Sequence, residues 1–119
     1  MYKGGLSSWR ERCVKTYVEA HATTLLNVEE INSLVGLSKS YFNNSFKTTF
    51  GFTPWNYIDR QRVKIACRLL EDTNEALADI ALKCGYADQP HFTKRFRKVT
   101  GTTPFKYRME NQYERTAHA

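Results

Sequence analysis

Long apolar runs are missing from this 119-residue sequence: nothing approaches the ~20 residues that cross a bilayer, and the amino terminus MYKGGLSSW lacks the apolar stretch of a signal peptide. A soluble chain that is not exported is expected. Cysteine is scarce. Cys13, Cys67 and Cys84 make an odd count without CxxC spacing, each set among apolar residues at helical intervals, so reduced core thiols and a cytoplasmic location are expected. Paired metal-ligand spacing is missing too: His91 follows Cys84 by seven positions with a helix break between, and His21 and Cys13 sit elsewhere. No metal site is expected, and His91 falls near a helix amino terminus, where it packs or reaches a phosphate. The sequence shows no Ser/His/Asp set, carboxylate pair or phosphate-cradling glycine loop, so no cofactor and no catalysis are expected. Acidic residues are the minority, 12 against 18 Lys and Arg, giving a net charge of +6 and a pI near 9.3. That balance points to nucleic acid, an anionic membrane or an acidic protein as partner.

What is present is helical periodicity throughout, with no support for strands. Trp9, Cys13, Tyr17 and Val18 share one face of a first helix reaching about Ala22, after a lead of residues 1–7. Asn27 and Glu30 have capping-box spacing and open a second helix carrying Ile31, Leu34 and Val35, ended by Gly36. Ser38 caps a third, with Phe42, Phe46 and Phe50 inward and Gly51 closing it. Thr53-Pro54 opens a fourth, a cap followed by a proline at the first helical position, where the missing amide costs nothing. This long helix reaches about Asp72, with Ile58, Val63, Ala66, Cys67, Leu69 and Leu70 expected inside.

The pattern then repeats. FGFTPWNY at 50–57 returns as TGTTPFKY at 100–107; Ile80 answers Ile31, Gly85 answers Gly36, Phe92 and Phe96 answer Phe42 and Phe46, and Gly101 answers Gly51. Such self-similarity marks a duplicated supersecondary unit. A helix, a short turn with glycine and a second helix is the helix-turn-helix signature, and the chain holds two. The expected fold is all-α, with about seven helices: a first helix-turn-helix subdomain over 8–52, a connector helix over 53–73, a second subdomain over 74–110, and a polar tail over 111–119.

The segments GLSKSYFNNSFK (36–47), RQRVKIACRLLEDT (60–73), IALKCGYADQPHFTKRFRK (80–98) and GTTPFKYR (101–108) carry a resemblance. Residues 8–108 closely resemble the DNA-binding domain of the AraC/XylS family of bacterial transcription regulators. One position departs from that pattern. The family usually has an apolar residue followed by Ala in the first helix of each unit; Ile80-Ala81 complies, whereas the first unit has Ile31-Asn32. Either helix packing loosens there or Asn32 finds a polar partner.

The faces opposite the phenylalanines can be read from spacing alone. Phe42 and Phe46 leave Ser40, Asn43, Asn44 and Lys47 outward on one helix, a face without an acid. On the other, Phe92 and Phe96 leave Pro90, Thr93, Lys94 and Arg97 outward, with Gln89 at the start and Arg95 and Lys98 flanking. Asn and Gln pair with the adenine edge, Lys and Arg with guanine or phosphate, and the Thr methyl with the thymine methyl. The resemblance implies that these faces enter the major groove, with Ser40, Asn43, Asn44, Gln89, Thr93 and Lys94 on bases. Lys39, Lys47, His91, Arg95, Arg97 and Lys98 are expected on the DNA backbone. A 19-residue connector spans ~28 Å, against ~34 Å between successive major-groove segments on one face. One chain is therefore expected to engage two adjacent segments of a bent duplex.

Double-stranded DNA is thus the expected partner, for a sequence-specific transcription regulator of the activator type, without membrane contact. RNA polymerase and a sensing domain for which this chain has no room are the further candidate partners. Two other readings stand beside this one, a helical protein-interaction module and a non-specific nucleoid-type DNA binder. Competition between promoter fragments and random DNA separates all three.

Overall fold

A computed structural model of the chain describes residues 4–23 and 28–117. Seven helices account for its regular structure, and the described residues contain no strand: α1 (Ser8–His21), α2 (Val28–Val35), α3 (Lys39–Phe50), α4 (Pro54–Asp72), α5 (Leu77–Lys83), α6 (Gln89–Thr100) and α7 (Pro104–Ala117). None is long and apolar enough to cross a membrane. The chain divides into two compact units, residues 1–61 and 62–119, and the division falls inside α4. Ile58, in the first half of this long helix, belongs to the core of the first unit, and Val63, Ala66 and Leu70, in its second half, to that of the second.

The boundaries follow from local chemistry. Ser7 and Ser38 cap α1 and α3 by accepting from the amides of Arg10 and Tyr41, each three residues on. Asp88 does the same for α6, taking the His91 amide at 2.8 Å. Thr53 and Thr103 accept from the amides of Asn56 and Lys106, so both Thr-Pro pairs start helices as their spacing requires. Gly51 and Gly101 end α3 and α6 at φ +79° and +84°, their amides donating to Lys47 and Arg97 carbonyls at 2.8 Å. Only glycine enters that left-handed region freely, which explains its return at both positions. The expected capping box at Asn27 and Glu30 lies outside the described residues.

In the first unit Val14, Val18, Ile31, Val35, Phe42, Phe46 and Ile58 form the core. Leu6 joins them: it is buried, and its amide donates to Thr49 Oγ1 at 2.6 Å, so Leu6 is held against the last turn of α3. Two of the apolar residues noted at helical spacing face outward. Trp9 is 53% and Leu34 48% exposed, because Val14 and Val18 fill the inner stripe of α1 and Ile31 with Val35 that of α2. In the second unit Val63, Ala66, Leu70, Ile80, Ala81, Cys84, Tyr86, Phe92 and Phe96 are buried, with Cys67 and Leu69 at the margin.

The carboxyl-terminal helix continues past residue 110, through the stretch whose polarity reads as a tail. Two polar side chains of α7 bond back to the chain around the end of α4. Gln112 Nε2 donates to the Leu70 and Thr73 carbonyls, and Arg108 Nε and Nη1 to those of Leu70 and Glu75. These bonds satisfy acceptors at the end of α4 and in the segment that follows it.

Candidate nucleic-acid interface

Each unit holds its outward helix by the same aromatic construction. Phe42 meets Phe46 edge-on with centroids 5.5 Å apart, and Phe46 meets Tyr57 at 5.5 Å and 77°. In the second unit Phe92 meets Phe96 at 5.7 Å, and Phe96 meets Tyr107 at 5.6 Å and 73°. The Tyr of each repeated Thr-Pro-aromatic-polar-Tyr segment thus locks the second Phe of the helix before it. Edge-to-face pairs at these distances contribute ~0.5–1.5 kcal/mol each beyond area burial. With two phenylalanines pinned one turn apart, the rotation of α3 and of α6 about its axis is fixed, and so is the set of residues facing water.

On α3 that set includes Lys39, Ser40, Asn43, Asn44 and Lys47, all exposed, together with Tyr41. Ser45, between the phenylalanines, is buried, and its hydroxyl has no partner. On α6 Gln89, His91, Lys94, Arg97 and Lys98 are exposed, while Thr93 and Arg95 are half-buried. Thr93, Lys94, Arg97 and Lys98 line one concave groove with Pro90 and Thr103. Arg95 and Gln89 lie outside that lining, and the His91 ring stands edge-on to Tyr86 at 5.5 Å. Thr103 is the member that sequence reasoning misses as a surface residue, having assigned it to capping alone; its place in the repeat, directly after the helix that carries the cations, was the available signal.

Electrostatically the two faces differ. The groove on α6 carries three cations and no acid among its lining residues, whereas the α3 face has Lys39 and Lys47 around three neutral hydrogen-bonding side chains. Three cations around a concave surface attract a polyanion without regard to sequence; amides and a hydroxyl on a fixed helical face suit base edges.

The remaining titratable clusters are structural. Tyr107 donates to Glu71 Oε2 at 2.6 Å, and burial together with this bond holds its pKa well above the ordinary phenol value. Burial likewise raises the Cys67 thiol and pushes Cys84 up to about 11. Both therefore stay protonated near neutral pH, as expected of core thiols. No group of three or more metal-ligating side chains occurs among the described residues.

Comparison with known proteins agrees with this geometry. A family model described as a helix-turn-helix domain matches residues 33–110. The chain is 32% identical over 94 residues to the probable transcriptional regulator LumQ of Photobacterium leiognathi, covering 79% of this chain and 38% of that protein. It is 31% identical over 98 residues to the transcriptional activator AarP of Providencia stuartii, covering 82% of this chain and 73% of AarP. Among solved structures, the DNA-binding domain of AdpA, determined in complex with a target DNA, superposes with a TM-score of 0.83 at 26% identity over 92% of this chain and 98% of that one. The chain belongs to the AraC-type helix-turn-helix family of DNA-binding transcription regulators.

Proposed function

We propose that this chain recognises specific double-stranded DNA by placing α3 and α6 in major-groove segments and so regulates transcription. Ser40, Asn43, Asn44, Gln89, Thr93 and Lys94 contact bases. Lys39, Lys47, His91, Arg95, Arg97 and Lys98 contact phosphates. One observation carries this reading: two outward helix faces of hydrogen-bonding and cationic side chains, each held in rotation by the same Phe-Phe-Tyr lock. A helix with its inner stripe fixed in this way presents one side-chain pattern to a groove, which direct readout requires. A helical protein-interaction module has no need of acid-free faces.

The chain acts as a binder, not a catalyst, on chromosomal DNA in the cytoplasm. Because it spans well under half of LumQ, partners of the whole protein such as RNA polymerase or a sensing domain belong to this proposal too. Selection of bound sequences from random DNA, followed by competition, tests it. A selected site should exceed random competitor by ~10³ or more in affinity. Equal competition would leave a non-specific binder, and no retention of DNA would leave the protein-interaction module. Protection of two major-groove patches about one turn apart by a single chain tests the use of both helices on one duplex.

A further inference from the structure

The outward stripe of α1 has no part in the proposed DNA contacts, yet with α2 it forms a concave surface lined mainly by apolar and aromatic side chains. Trp9, Cys13, Tyr17 and Ala20 recur along α1 at helical spacing, and Leu34 of α2 forms the opposite wall. Trp9 and Leu34 are both about half exposed, adjoining apolar surface of the kind that marks interaction sites. Arg12 is the charged member among the lining residues that are described, and His21 closes one end, its ring 4.6 Å from that of Tyr17.

We infer that this groove docks an amphipathic helix of a protein partner, with apolar side chains against Trp9, Tyr17 and Leu34 and a carboxylate opposite Arg12. Length, charge and size argue for that occupant. From Trp9 to His21 the stripe runs ~18 Å at 1.5 Å per residue, which matches about three turns of a facing helix. An apolar trough with a cation at its side selects a helix bearing large apolar residues at i, i+3, i+4 and i+7 and one acid, the helix-in-groove mode of recognition. Eight of the described residues line the groove, far below the ~20–30 per side of a stable protein–protein interface, so a second copy of this chain fits less well than a single peptide-like segment. DNA is a poor occupant, since an apolar trough with Arg12 in its lining and Arg10 against Trp9 offers little to a phosphate backbone.

Selecting binders to the 119-residue chain from a display library of helical peptides tests the inference. Enriched sequences should be amphipathic and carry Asp or Glu at one fixed position. A fluorescein-labelled winner should lose at least tenfold in affinity against Leu34→Asp and against Arg12→Glu, and replacing its acid by Lys should restore binding to Arg12→Glu. Both sites are exposed, and retained affinity of each variant for selected DNA shows that the fold is intact. Absence of enrichment, or winners that bind both variants as well as the parent, would overturn the inference. So would concentration-dependent dimerisation in sedimentation that Leu34→Asp abolishes, because the occupant would then be a second copy.

Discussion

The hydroxyl of Tyr107 donates to Glu71 Oε2 across a 36-residue gap in the chain, tying the first turn of α7 to the end of α4. Its counterpart Tyr57 makes the same ring contact with the preceding helix but faces Glu19 and Glu11 only at longer range. The repeat thus reproduces aromatic packing in both units and places this side-chain pair in the second. Tyr107→Phe keeps the ring against Phe96 and removes the bond, so it should destabilise by ~1–2 kcal/mol in urea unfolding. Its alkaline behaviour follows in sign. With the folded pKa above the unfolded one, the stabilisation is complete below pH 10 and is lost as pH rises beyond it. Tyr107→Phe should therefore flatten the alkaline fall in stability, and an unchanged limb would show that the phenol does not contribute.

Cys84 extends the argument to lower pH. Its thiol is fully buried beside the α5–α6 turn, and burial outweighs the opposing pull of Arg62 to push the pKa from 9.0 to about 11. A raised folded pKa again means stability present below pH 9 and lost towards 11, here by about 3 kcal/mol for a two-unit shift. In Cys84→Ala that pH-dependent part should disappear, although the variant starts lower because a cavity replaces the sulfur. Chemical denaturation at pH 7, 9 and 10.5 measures the slope.

The fold was legible wherever punctuation and periodicity acted together. Thr53, Thr103, Gly51 and Gly101 open and close helices where the sequence spacing places them, since caps and left-handed residues act within one turn and need no tertiary information. The outward faces of α3 and α6 were legible for the same reason: Phe42/Phe46 and Phe92/Phe96 fix the rotation. The exposure of Trp9 and Leu34 was not legible, because apolar character at helical spacing does not say which of two adjacent stripes meets the core; Val14 and Val18 settle that through contacts from distant elements. Leu6 and Gln112 depend on bonds to Thr49 and to the α4 carbonyls, 43 and up to 42 residues away, and local sequence carries no sign of these.

Gly51 tests the punctuation directly. A Cβ built there meets nothing within 4 Å, so any cost of substitution comes from the positive φ and not from crowding. Gly51→Val should destabilise by ~1 kcal/mol or more, and Gly51→Asn by less, because Asn tolerates the left-handed region. Equal melting temperatures for the two variants would contradict a conformational origin.

Asn32 is the position at which the first unit departs from the family pattern, and its alternatives resolve one way: Oδ1 is buried without a hydrogen-bond partner. Its counterpart Ala81 is fully buried and carries no such group. An orphaned acceptor costs ~1–3 kcal/mol. Asn32→Ala should therefore leave stability unchanged or raise it by ~1 kcal/mol, where a polar-to-Ala change at a satisfied site would lower it. Differential scanning calorimetry of the pair decides.

The outward faces of α3 and α6 also predict different responses to mutation. If Asn43 and Asn44 read base edges, either Ala variant should lose ~1–3 kcal/mol on the selected site and relax preference at one position, with little change on random DNA. Equal losses on both DNAs would assign them to the backbone or the fold. Lys94, Arg97 and Lys98 line the cationic groove of the second unit, and residues 60–119 carry a net +5 of the total charge against +1 for residues 1–59. Each phosphate contact removed should reduce the slope of log affinity against log salt by ~0.9. Arg97→Ala with Lys98→Ala should therefore lower the slope by about 2, on selected and random DNA alike. Lys39→Ala with Lys47→Ala removes the same charge from the first unit and weakens the attraction that supports the Asn face, so it should also reduce the slope. A slope unchanged by the α6 pair but lowered by the α3 pair would place the sequence-independent attraction in the first unit and overturn the division drawn from composition.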